Sequence, residues 1–148
     1  MSSIQHASAL QALTALEVDY WHDVDRNWGR TAHTFYVEGG VFAIGDKVMA
    51  GQQAIAEFYR WREGRGARTA RHVVSNFRLF GRRGETAEFE CIMCLYAADG
   101  LPVRESKPAI MIADIQSACE LVGNAWRYTS HRLLPIFMGG EAPTIPPE

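Results

Sequence analysis

Lysine is almost missing from this chain: of 15 basic residues, only Lys47 and Lys107 are lysine, and the rest are arginine. With a net charge of −2, nothing in the composition favours nucleic acid or an anionic membrane surface as a partner. Apolar runs are short. None approaches the roughly 20 residues that a membrane-spanning helix requires. The opening Met1-Ser-Ser-Ile-Gln-His lacks the basic start and apolar stretch of a secretory signal, so a cytoplasmic protein is the expectation.

Cysteine is scarce too. Cys91, Cys94 and Cys119 make an odd number, which argues against a disulfide framework. Cys91-Ile-Met-Cys94 has the spacing of a redox or zinc pair, but the surrounding 87–96 reads as a strand. A spacing of three puts the two sulfurs on opposite strand faces, so they cannot share a metal. No Gly-rich phosphate loop occurs, and neither Ser75 nor Ser130 sits in a nucleophile elbow. His22, Asp23, Asp25 and His33 lack the geometry of a ligand set. No metal and no cofactor are expected.

What is present is an ordinary globular balance, 47% hydrophobic and 22% charged over 148 residues, enough for one domain with its own core. Leu10, Leu13, Leu16, Tyr20 and Val24 recur at helical spacing, which predicts a first helix over about 7–23. Asp25-Arg26-Asn27 offers caps for a second helix at about 28–36, with Gly39-Gly40 ending it. A short strand at 41–44 and a turn at 45–47 follow, then a helix at 52–62 with Ile55, Phe58 and Tyr59 on one face. Beyond it the period changes to that of strands, read as 69–80, 85–97, 103–116 and 120–134. Helices first and an antiparallel meander second describe an α+β domain whose curved sheet wraps the helices. The Pro-rich tail 141–148 reads as extended or frayed. Arg60, Arg62, Arg65 and Arg68, around Glu63, read as a solvated helix end.

Two places can supply proton chemistry: the acidic bend Tyr20-Trp-His-Asp-Val-Asp25, and His72, which shares a strand face with Val74 and Asn76. Each has a purely structural alternative. Asp25 can cap the second helix, with Asn27 as the other candidate, and Tyr20 can be a core tyrosine. Five residues of ideal helix separate Tyr20 from Asp25 by about 140°, so these two converge only if the helix ends or turns near Asp23.

The order of elements, with Gly51-x-x-Ala-Ile-x-x-Phe58 opening a helix, Thr69-x-Arg-His72 opening a long strand, and Trp126-Arg127 before the last one, resembles the SnoaL-like branch of the nuclear transport factor 2-like superfamily. The resemblance covers about residues 8–138. It implies a cystatin-like cone: a curved antiparallel sheet around N-terminal helices, enclosing a mostly apolar pocket. The superfamily includes scytalone dehydratase, bile acid 7α-dehydratase, hexachlorocyclohexane dehydrochlorinase and ketosteroid isomerase. It also includes non-catalytic binding and assembly modules such as the beta subunits of ring-hydroxylating dioxygenases.

By that resemblance, Asp25 and His72 form a catalytic dyad assisted by Tyr20. His131, or Arg132 if the strand is bulged, would contact substrate, as would Asn76 and Trp28, while Phe42, Met93 and Met111 help shape the pocket. The expected activity is a cofactor-independent lyase, a dehydratase or other β-elimination catalyst, or an isomerase, acting on a small apolar cyclic or aromatic molecule. The alternative is a binding or assembly module. A homodimer or homotrimer is expected, with Trp126 and Phe137 offering apolar surface.

Overall fold

A computed structural model of the chain describes residues 3–139. Helix α1 (Ser3–Asn27) leads through a short 3-10 turn (Ala32–Phe35) to strands β1 (Tyr36–Ile44) and β2 (Lys47–Ala50). Helix α2 (Gln52–Gly64) precedes four long strands, β3 (Arg68–Arg83), β4 (Thr86–Asp99), β5 (Met111–Val122) and β6 (Ala125–Met138). One six-stranded sheet results, in the order β2-β1-β6-β5-β4-β3. The β3–β6 meander is antiparallel throughout, and β1 joins it parallel to β6. The sheet curls over α1, burying Leu13, Tyr20, Phe42, Ile55, Met93 and Ile115 completely. Each such aliphatic or aromatic side chain contributes about 1.5–3 kcal/mol.

Several elements differ from the sequence reading: the first strand starts earlier, at Tyr36, β2 was not expected, and the last strand starts later, at Ala125. α1 does not stop near residue 23 but runs to Asn27, so Asp25 is a helical residue and caps nothing. The expected helix at 28–36 is reduced to the 3-10 turn, because the chain reverses at Trp28 (φ 61°) and Gly29 (φ 69°). The Gly29 amide donates back to the Asp23 carbonyl at 3.1 Å, so one of the last helix carbonyls is satisfied by the reversal itself. The strand read at 103–116 begins at Met111 instead, after Pro102 and Pro108, whose missing N–H groups cannot serve a ladder. Its turn is Gly123-Asn124 rather than 116–119, and Gly123 (φ 63°) suits a two-residue hairpin loop.

Gly51 carries a conformational requirement. Its φ of 92° lets its amide reach the Gly40 carbonyl at 2.8 Å just before α2 starts, a backbone state strained for any side chain. The three cysteines are free. Cys91 and Cys119 are buried, which pushes their thiols well above the usual range, and Cys94 lies on the opposite face of β4 from Cys91. The tail 141–148 lies outside the described residues.

Candidate active site

Three α1 side chains at i, i+3 and i+4, namely Trp21, Val24 and Asp25, form one wall of a cavity together with Trp28 from the reversal after the helix. The other walls come from β1 (Phe42, Ile44), α2 (Phe58, Tyr59, Arg62) and the inner face of the sheet, including Ala70, His72, Met93, Leu95, Met111 and Leu133. The cavity amounts to about 60 Å³ and opens to solvent.

Asp25 and His72 meet at this wall. Asp25 Oδ1 lies 2.6 Å from His72 Nδ1, and Oδ2 accepts the His72 backbone N–H at 2.9 Å. Both side chains are almost fully buried, with 4% and 8% of their surface exposed. Two contacts from one carboxylate fix both the position of the strand and the orientation of the ring. Burial lowers the pKa of His72 below its ordinary value, and the Asp25 hydrogen bond and charge oppose that shift only in part. The imidazole is therefore neutral at pH 7, with its proton on Nδ1 facing the carboxylate. Nε2 has no hydrogen-bond partner among the described residues and keeps its lone pair.

The neighbouring carboxylates are otherwise engaged. Asp23 accepts the Thr31 hydroxyl at 2.6 Å, the Thr31 amide at 3.2 Å and the Asn27 side-chain amide at 2.8 Å, tying down the reversal after α1. Asp19 is exposed.

Tyr20 is not part of this pair. Because α1 stays helical to Asn27, the roughly 140° between Tyr20 and Asp25 persists, and Tyr20 points into the core with no exposed surface. Its hydroxyl lies 2.5 Å from that of Tyr59 and 3.1 Å from that of Tyr36. Tyr36 bonds His131 Nδ1 at 2.8 Å, and His131 Nε2 bonds Glu17 at 2.9 Å. Glu17 also accepts from the Trp21 indole at 2.5 Å and the Tyr128 hydroxyl at 2.7 Å. Burial holds all four tyrosines well above their ordinary pKa, as neutral phenols.

His131 thus belongs to this buried network and does not line the cavity, since both its ring nitrogens are taken. Arg132, the next residue of β6, points outward and is exposed. Asn76 also leaves the site. It sits with φ 58° in a bulge where β3 slips against β4, so Asn76 is exposed and Phe77 packs inward on Phe89 instead. Of the residues expected to contact substrate, only Trp28 lines the cavity.

Three features escaped the sequence reading. Glu17 lies one helical turn before Trp21 and two before Asp25, a spacing that places it on the same stripe. Tyr59 read as apolar packing but joins the phenol chain to the cavity wall. Arg62 and Arg68 read as solvated, yet both line the cavity, whereas Arg60 and Arg65 of the same cluster are exposed.

No protein-family model and no curated protein matches the sequence. Solved structures do match in shape. A candidate scytalone dehydratase from Novosphingobium aromaticivorans superposes with a TM-score of 0.79 at 14% identity, over 92% of this chain and 89% of that one. A candidate beta subunit of an aromatic-ring-hydroxylating dioxygenase from the same organism gives 0.79 at 12% identity, over 95% of each chain. An NTF2-like protein with a cystatin-like fold, also from that organism, gives 0.71 at 16% identity, over 90% and 85%. The fold is therefore the α+β cone of the nuclear transport factor 2-like, cystatin-like proteins, a fold that the SnoaL-like resemblance implies. Proteins of this fold include both enzyme-like members and oxygenase subunits.

Proposed function

We propose that the chain is a cofactor-independent lyase or isomerase for a small cyclic or aromatic substrate, with His72 as the general base and Asp25 as its orienting carboxylate. One observation carries the reading: a neutral, doubly anchored histidine, with Nε2 unpaired among the described residues, lines an otherwise largely apolar cavity. Nε2 takes a proton from a carbon next to an activating group, and Asp25 stabilises the imidazolium that forms. In an elimination, the electron pair of the broken C–H bond becomes the new double bond as a β-hydroxyl departs. The imidazolium returns its proton to that hydroxyl, releasing water. In an isomerisation, the same proton returns to a different carbon. Tyr20 has no part in this scheme.

A non-catalytic binding or assembly module is the second reading, and the likeness to an oxygenase beta subunit favours it. That role gives the buried Asp25–His72 pair nothing to do. The exposed end of β6, Ile136, Phe137 and Met138, supports a homodimer or homotrimer. A thermal-shift screen of hydroxylated and halogenated cyclic compounds identifies ligands by mass action, and turnover of each hit by wild type and His72→Ala follows. Turnover that is lost in the variant supports the enzyme. Binding without turnover by wild type supports the module.

A further inference from the structure

Arg62 and Arg68 stand out within the cavity wall because neither is fully matched. Arg62 Nε and Arg68 Nη1 are buried atoms without an acceptor among the described residues. Among the described residues, the only carboxylate paired with Arg62 is Asp99, at 3.9 Å and itself three-quarters exposed, and the Arg62 side chain is only 13% exposed. Asp25 brings a negative charge to the same cavity, but its two oxygens are already held by His72. The charge of Arg62 therefore bears on Arg68, and each guanidinium has a buried donor without a partner among the described residues. Burying a charged donor without a partner is costly, and a planar oxyanion bonded by arginine removes that cost. Burial and the charge of Arg62 push the Arg68 pKa down to about 10, which still leaves it charged at neutral pH.

We propose that Arg62 and Arg68 form an anion-binding subsite of the cavity and that the substrate is a small cyclic or aromatic carboxylate. The ring packs on the apolar walls, the carboxylate sits on the two arginines, and the remaining ring carbons face His72. This names the substrate class for the dyad reading of the same cavity and so rests on it, but its test does not depend on turnover.

The probes are benzoate and its neutral, nearly isosteric counterpart benzamide, titrated into wild type, Arg62→Met, Arg68→Met and His72→Gln by calorimetry or by NMR shift. Wild type is expected to bind benzoate at least about tenfold more tightly than benzamide, and raised salt should weaken the benzoate complex only. Each methionine variant should abolish that preference while binding benzamide as wild type does. His72→Gln should keep it. Equal affinity for the two probes, no benzoate binding in the millimolar range, or a preference that survives in either methionine variant overturns the subsite. If His72→Gln keeps the preference and also keeps turnover on an identified substrate, the subsite stands and the dyad falls.

Discussion

The indole of Trp21 lies flat on the imidazole of His72, with ring centroids 4.1 Å apart and planes within 12°. The same indole donates its N–H to Glu17 one turn earlier on α1. Asp25 holds the histidine by its edge, Trp21 holds it by its face, and Glu17 holds the tryptophan. Three residues spaced by four along one helix thereby fix the orientation of one ring on β3.

Glu17→Leu would strand three buried donors at once, on Trp21, Tyr128 and His131. It should lower unfolding stability by about 3–5 kcal/mol, read from denaturant midpoints. A loss under about 1 kcal/mol would mean that Glu17 does not organise this core.

The lowered pKa of His72 fixes the pH dependence. Because burial depresses it below 6.5 in the folded state, kcat/KM should be flat through neutral pH and fall on an acid limb centred below 6.5. Stability follows the same sign. Above 6.5 the ring is neutral whether folded or unfolded and contributes nothing. As pH falls below 6.5 the unfolded chain takes up the proton first, so folding weakens until the folded-state pKa is passed. Proton-detected NMR of His72 should show the Nδ1–H tautomer throughout neutral pH. A charged ring at pH 7, or an acid limb above 6.5, contradicts this environment.

Tyr20→Phe removes one hydroxyl from a chain of buried phenols that never reaches Asp25. Stability should drop by about 1–2 kcal/mol, with kcat changed only a few-fold. A loss of kcat near that of a His72 variant would return Tyr20 to the chemistry.

Gly29→Ala should be disproportionately harmful. The position has φ 69°, and an added Cβ would stand 2.5 Å from Tyr59 Cδ1, on a ring that lines the cavity. The backbone cost alone is about 1–2 kcal/mol. The displaced ring adds to it, so a melting shift larger than that of an alanine at exposed Gly64 is expected.

The fold was legible because period and punctuation agree: α2, β3 and β4 match their sequence reading within a few residues. The contact between Asp25 and His72 was legible through the SnoaL-like resemblance, which singles out those two positions. The rest depended on where helix α1 stopped. A helix end with Trp28 in the left-handed position usually taken by glycine gives little sequence signal, and it moved Tyr20 away from Asp25. Asn76 was lost to a bulge that inverts the alternation of β3, which no local pattern announces. Arg62 and Arg68 could not be told from Arg60 and Arg65 by composition. Only the packing of α2 and the start of β3 against the cavity separates them.

The claim that matters most is that His72 removes the substrate proton. Its direct test is the turnover of His72→Gln on the first substrate identified, with folding verified by matched melting curves. Loss of kcat by about a thousandfold is the predicted result. Retention of kcat within about tenfold of wild type would show that another group is the base.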